Sequence, residues 1–295
     1  MDLELSDDQV ALCDGIESVL DGRVPIERVR AGFDRALFDE LGGAGVFSLR
    51  ADGFSWADCV IVLEQLGRGC VPGPLVSSLL LGDGRCAGVL EGGWVEHIDV
   101  LDVVVVPEQG TCAPGDLDAT PSGWPLDPAT PVARVSETPA AISACDLDWT
   151  LWRRAGATLT AALQLGLADR LTELAVAYAN ERVQFDRPIG SFQAIKHLCA
   201  DMLVRTEVAR AAVYAAGAHL DAADAMPGVD RAVSGAKLLA GEAAITNGKS
   251  AIQIHGGMGF TWEVDVHLYL KRAWILDTHF GAADAHADHV AAALS

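Results

Sequence analysis

Hydrophobic residues recur every three or four positions over two stretches of the chain and at closer intervals in the stretch between them. From Ser6 to about Leu81 the spacing is helical. Val10, Cys13, Ile16, Val19 and Leu20 form one stripe, and Leu37, Leu41 and Val46 mark a second short segment. A third helix is predicted over 56–66, bounded by Gly67 and then by Pro72-Gly73-Pro74, which cannot continue it. From about Gly82 to Asp146 short β-rich runs alternate with Gly, Pro, Asp and Thr. The clearest strands are 95–106 and 132–135, and breakers such as Pro114-Gly115 and Pro121-Ser122-Gly123 fill the interval. From Asp148 onward helical periodicity returns. Leu163, Leu167, Leu171, Leu174 and Tyr178 define one long helix with Asp148 or Thr150 as cap. Ile195, Cys199, Met202, Thr206, Ala209 and Val213 define the next. Pro227 sits at a first helical turn before Val233, Leu238 and Ile245, and Trp262, Val266, Tyr269, Ala273 and Trp274 belong to a fourth helix after Gly259.

The predicted fold class is mainly α with a small β insert (α+β). It divides into an N-terminal helical domain (1–81), a reduced β domain (82–147) and a C-terminal four-helix bundle (148–295). The β zone is too short to bury much surface alone and must lean on its helical neighbours.

Composition narrows the function. The chain has 295 residues, 51% of them hydrophobic, and a net charge of −20 from 21 Lys+Arg and 41 Asp+Glu. Such an acidic chain repels nucleic acid and an anionic membrane surface, so neither is expected as a partner. The start, Met1-Asp2-Leu3-Glu4, is acidic where a secretory or mitochondrial signal is basic. No apolar run approaches the ~18 residues needed to cross a bilayer. Seven cysteines, an odd count without a CxxC pair, read as reduced thiols in a cytoplasmic protein. The His279, His286 and His289 spacing reads as a polar last helix, and no metal site is expected.

Two segments of the C-terminal half carry more than packing. In 178–195 a helix runs out at Arg182, a Pro188-Ile189-Gly190 turn follows, and a new helix opens with Phe192-Gln193. A guanidinium, a Gln side chain and fresh helix amides then converge on one connection, which suits an anion, although a capped turn with a solvated Arg has the same pattern. In 253–261 the run His255-Gly256-Gly257-Met258-Gly259 lets backbone approach a ligand closely, and a tight helix corner needs it equally. Neither a dinucleotide fingerprint nor a phosphate loop is present.

Together these segments resemble the acyl-CoA dehydrogenase family, whose signature runs Tyr-x-x-x-Arg-x-x-Phe-Gly-x-Pro-Ile, then Phe-Gln, then Gln-x-x-Gly-Gly-x-Gly. Leu5-Ser6-Asp7-Asp8-Gln9 and Val62-Leu63-Glu64-Gln65-Leu66-Gly67-Arg68 extend the likeness towards the N-terminus. The resemblance implies helices, a β domain and a four-helix bundle, with the cofactor FAD between subunits. It implies that Arg182, Gln184 and Phe185 approach the FAD diphosphate of a neighbouring subunit. Ile189, Phe192, Gln193 and Ile195 would flank its adenosine half, and Gln253, Gly256 and Gly257 would close over the diphosphate and ribityl region. Asp186 stands where the family usually has Gly, and is expected to turn to Arg187 or to solvent.

The family's catalytic carboxylate is missing. Counting from Gln253, the tripeptide that should carry it is His279-Phe280-Gly281, and a second branch's position falls at about Gly156. The catalytic residue set of this chain is therefore expected to be empty, with Phe280 at the base position. The chain is short for the family, and most of the deficit lies in the β zone, which has no convincing copy of the family's flavin-ring or substrate segments; Trp94 and Trp124 are present there and read as turn or packing aromatics. The resemblance thus implies a short, base-lacking subunit of a heteromeric α2β2 acyl-CoA dehydrogenase of the actinobacterial steroid-degradation type. A full-length subunit would supply the base, and an electron-transfer flavoprotein would take the electrons from a bulky acyl-CoA substrate. The rival readings are a homomeric enzyme with a relocated base (Glu263, Asp265 or Asp277) and a flavin-free scaffold.

Overall fold

The computed structural model describes residues 5–137, 139, 141–222 and 228–293. Met1 to Glu4 and Pro227 lie outside them. Ser6 opens α1 (Asp7–Arg23) with a reciprocal cap: its hydroxyl accepts the Gln9 amide while the Gln9 side chain accepts the Ser6 N–H. α2 (Ile26–Arg30) and α3 (Arg35–Gly43) follow, the latter capped by Asp34. α4 (Trp56–Arg68) is buried along most of its length, and α5 (Leu75–Leu81), which the hydrophobic pattern did not single out, ends on left-handed Gly82.

α4 does not stop before Gly67. A Cβ on Gly67 would collide with the Leu163 carbonyl of α6 (Trp149–Glu181), and one on Gly166 would collide with the Glu64 carbonyl. The two helices cross backbone to backbone, so these glycines mark a close approach within both helices.

Six short strands make two small sheets. They are β1 (Ala87–Val89), β2 (Trp94–Glu96), β3 (Val103–Val106), β4 (Gly110–Cys112), β5 (Ala119–Pro121) and β6 (Val132–Val135). One sheet has the order β1-β3-β4 with β1 and β3 parallel, Ala87 opposite Val103. The other, β2-β6-β5, is antiparallel with Val95 opposite Ala133. The single strand expected over 95–106 is broken after Glu96, because His97 takes a left-handed φ of 55° and one 3-10 turn (Ile98–Val100) intervenes. The sheets share a modest core around Val95, Val104, Leu117 and Ala133. They dock on α5, where the Ala87 amide donates to the Ser78 hydroxyl at 3.0 Å. Ion pairs tie the β insert to the C-terminal half: Glu108 with Arg153 of α6, and the Asp127 and Glu96 pairs described below.

Asp148 caps α6 through the amides of Thr150 and Leu151. A hairpin, β7 (Val183–Gln184) with β8 (Arg187–Pro188), leads through a 3-10 turn (Ile189–Ser191) into α7 (Gln193–Asp221) and α8 (Val229–His255). A second 3-10 turn (Gly256–Phe260) precedes α9 (Val266–Leu276) and α10 (Ala283–Ala292). Leu167 and Leu171 of α6, Met202, Ala209 and Val213 of α7, and Ala236, Ala240 and Ala244 of α8 fill the bundle core. A polar knot fixes its register: the Asn247 amide donates to Thr206 Oγ1 and the Met202 carbonyl, both at 3.0 Å, while Arg205 donates to Asn247 Oδ1. Trp262 lies outside α9, its ring edge-on to His267 at 4.8 Å.

Candidate functional site

The first motif forms the end of α6 and the start of α7. Arg182 is the C-cap of α6, and its carbonyl accepts the Ile189 amide at 2.8 Å, closing the loop. Phe185 and Asp186 both have positive φ (53° and 62°), the conformation of a two-residue hairpin turn. The Phe185 side chain is thereby thrown out, 85% exposed. Asp186 is exposed as well, and the left-handed backbone accounts for the glycine that the family signature carries there. The Arg187 guanidinium stacks 4.1 Å over the Phe192 ring and is exposed, as is Arg182, and α7 starts uncapped because its N-cap, Phe192, offers no side-chain acceptor. Gln184 folds back onto the Val183 carbonyl at 2.8 Å. Ile189 and Ile195 are partly buried against the core, and Gln193 opens α7.

The second motif ends α8. His255 is buried, and Nδ1 lies 2.8 Å from the Ala251 carbonyl. Burial pushes its pKa down despite that bond. Gly256 takes φ +61°, and a Cβ on either Gly256 or Gly257 would meet nothing within 4 Å, so both present open backbone. Gly259 differs: its Cβ would press on Ile252. Gln253 is exposed beside them. The His255 ring stacks on Tyr178 of α6 at 4.1 Å and 19°, which joins the two motif segments at one end of the bundle. Met258, Phe260 and Trp262 stand exposed on the same connection.

A separate site lies at the α9–α10 connection. Phe280 has φ +53°, and its ring rests on the backbone of Gly156 in α6, so that a Cβ there would overlap the ring. Its backbone is pinned twice. The amide donates to Glu91 at 3.3 Å, and the carbonyl lies 3.1 Å from Nε2 of His286, whose Nδ1 meets Ser234 at 3.1 Å. Beside it, His279 Nε2 lies 2.8 Å from Oε1 of Glu96 on β2. Burial opposes charge on both, yet each partner's field holds the His279 pKa up and the Glu96 pKa down. Behind them the buried Arg272 pairs with Asp127 at 2.5 Å and donates to the Val71 carbonyl at 2.9 Å.

Of the acids considered for a relocated base, Glu263 is exposed, Asp265 pairs with Arg30, and Asp277 packs over Gly241. None of them lines the cavity beside Phe280. Trp94 does line it, and Trp124 is 92% exposed. The acids that do face it, Glu91 and Glu96, were not anticipated from the sequence, since nothing local distinguishes them from other strand-end carboxylates.

This arrangement, a long-helix bundle with an Arg turn and an open glycine corner at one end and a small β insert on its flank, agrees with the comparisons. Residues 154–295 match the acyl-CoA dehydrogenase C-terminal domain. The chain belongs to the acyl-CoA dehydrogenase family. It is 37% identical over 257 residues to acyl-CoA dehydrogenase IpdE2 of Mycobacterium tuberculosis, covering 80% of this chain and 74% of that one. Its fold is that of the crystal structure of the ChsE4-ChsE5 complex from Mycobacterium tuberculosis, with a TM-score of 0.83 at 22% identity over 100% of this chain and 99% of the other. A variant of the Tcur3481-Tcur3483 steroid ACAD gives 0.83 at 21%, covering 98% of each.

Proposed function

We propose that this chain is the base-lacking subunit of a heteromeric FAD-dependent acyl-CoA dehydrogenase, lending the adenosine and diphosphate half of a FAD site to a full-length partner. The observation that carries the reading is Phe280 on Gly156: an aromatic ring and a bare backbone occupy the two places where family members keep their carboxylate. The partner then supplies the base that takes the α-proton of the acyl-CoA. The substrate is a bulky, steroid-derived acyl thioester, and electrons leave to an electron-transfer flavoprotein. The names of two structural neighbours, one a complex of two components and one a steroid ACAD, support a heteromer and that substrate class.

The residues present fit the cofactor. Arg182 offers an exposed guanidinium suited to bidentate contact with a diphosphate. Gly256 and Gly257 leave open space for its close approach, and the uncapped α7 terminus faces anions with positive dipole. Phe185, Gln184, Ile189, Phe192, Gln193, Ile195 and Gln253 complete the proposed surface. When bound, FAD accepts the hydride lost from the acyl Cβ. In this reading the functional units are 1–81, 82–147 and 148–295, the location is the cytoplasm, and the exposed Phe260, Trp262 and Phe185 are buried by the partner. Among the described residues no helix is long and apolar enough to cross a membrane.

The test is co-expression with a full-length acyl-CoA dehydrogenase chain that retains its catalytic carboxylate, followed by flavin absorbance of the purified complex. Arg182→Ala is expected to strip FAD while leaving the complex assembled, since each lost charge-assisted contact is worth about 1.5–3 kcal/mol. Stoichiometric FAD and turnover in this chain purified alone would overturn the proposal, and unchanged FAD in the Arg182→Ala complex would leave only a scaffold role.

A further inference from the structure

The β insert meets α9 and the turn after it through charge. Arg272 of α9 pairs with Asp127 at 2.5 Å, both buried, and the half-buried His279 pairs with Glu96 of β2 at 2.8 Å. Glu96 holds His279 towards its charged form, so the joint balances two positive groups against two negative ones. Packed against these four is His97, 2% exposed, on the left-handed turn that ends β2. Its amide donates to the Pro131 carbonyl at 2.8 Å, its ring lies 5.9 Å from that of Phe33, and its Nδ1 has no hydrogen-bond partner among the described residues. A void of about 30 Å³ lined by His97, Thr130 and Arg272 leaves the joint short of close packing. The charged groups facing the ring are Glu96, Asp127, Arg272 and His279, and they already match one another. A proton on His97 therefore adds one positive charge that nothing in the joint offsets.

The strands beside this joint cannot hold themselves once undocked. β2, β5 and β6 have three, three and four residues. Their shared core is Val95, Ala133, Val135 and Leu117, and a sheet of that size is stable only while packed on something larger. The bundle has its own apolar core along α6, α7 and α8, which needs none of these strands. Just before β2, Glu91 also accepts the Phe280 amide at 3.3 Å, so the same sheet steadies the α9–α10 connection.

We propose that the sheet β2-β6-β5, with the 122–131 segment, is an acid-released unit: protonation of His97 undocks it from α9 and from the α9–α10 connection while the bundle stays folded. The device belongs to this chain alone and does not rest on the FAD reading.

The experiment is peptide-resolved hydrogen–deuterium exchange of the full chain at pH 7 and pH 5, expressed as protection factors so that the intrinsic pH dependence of exchange is removed. Peptides across 94–100 and 127–135 are expected to lose protection at pH 5, and those across 160–175, 200–217 and 233–252 to keep it. Docking takes the His97 imidazole from 6.5 to about 4, so its own part of the loss is about 20-fold over that interval. The His279–Glu96 pair, which gains towards acid, offsets some of this. His97→Asn retains that pair, so its ratio of protection at pH 7 to pH 5 should fall below the wild-type ratio by the same 20-fold. If His97→Asn fails to fold, His97→Gly, which suits the left-handed backbone, takes its place. Equal losses from insert and bundle peptides, undiminished protection of the insert at pH 5, or the wild-type loss in the folded variant would each overturn the proposal.

Discussion

The ring of Phe280 lies against the bare backbone of Gly156 in α6, close enough that a Cβ on Gly156 would overlap it. The contact is specific, since Phe280 is fixed at its amide by Glu91 and at its carbonyl by His286. Gly156→Ala should therefore cost about 1–3 kcal/mol of stability, the usual range for forcing extra volume into a packed site. Combining it with Phe280→Ala should recover most of the overpacking cost, giving a coupling energy of the same order in a double-mutant cycle. Additive effects in urea unfolding would show that the ring moves aside freely and that the contact does not specify this region.

The crossing of α4 and α6 makes a second prediction. Gly67 and Gly166 each lie where a methyl group would enter the other helix's backbone, which cannot retreat as a side chain could. Either substitution to Ala gains helix propensity of about 0.5–1 kcal/mol at an ordinary site. Here the expected sign is reversed, with clear destabilisation in denaturant titration. A gain in stability at either position would mean that the helices sit farther apart than described.

How much of this was legible in the sequence follows from how local each signal is. The bundle helices were readable because their core positions repeat at helical spacing, and Asp148 caps the first of them as its residue type predicts. The Arg182 and Gly256 segments were readable because each is a contiguous run, although only the Tyr178–His255 stack shows that they share one end of the bundle. Gly67 was misread as a terminator because a glycine looks the same whether it ends a helix or admits a neighbouring one. The strand over 95–106 was misread because valine-rich propensity hides the left-handed turn at His97. Glu96 and Asp127 could not be found at all, since their partners His279 and Arg272 lie 183 and 145 residues away.

That distance gives the third prediction. Asp127 and Arg272 are almost fully buried and clamp the β insert to α9, with Thr130 and the Ala129 amide completing the carboxylate's bonds. Asp127→Ala leaves a buried guanidinium without its counter-charge and should cost about 3–5 kcal/mol. The paired replacement Asp127→Asn with Arg272→Met, which buries no charge, should cost less than Asp127→Ala alone. Equal losses in guanidinium unfolding would indicate that packing, and not the uncompensated charge, dominates at this joint.

The last prediction concerns pH, where two adjacent histidines act in opposite directions. Burial pushes the His97 imidazole from 6.5 down to about 4, against the pull of Glu96 and Asp127 and with the help of Arg272. Its folded pKa lies below the unfolded one, so its contribution is complete above about 6.5 and is lost as pH falls towards 4, by about 3 kcal/mol in all. His279 is held above its ordinary value once Glu96 overcomes the cost of burial, so the stability from that pair is present below about 6.5 and fades as pH rises through the raised value. Between pH 6.5 and 4 His97 therefore weakens the native state, as do His255, His267 and His286, whose pKa values burial also pushes down. His97→Asn retains a residue type tolerant of left-handed backbone and removes the titration. It should lower stability at pH 7 yet flatten the profile from 6.5 to 4, so that wild type and variant converge at the acid end. Urea midpoints measured across that interval decide the point, and parallel profiles would place the acid sensitivity elsewhere.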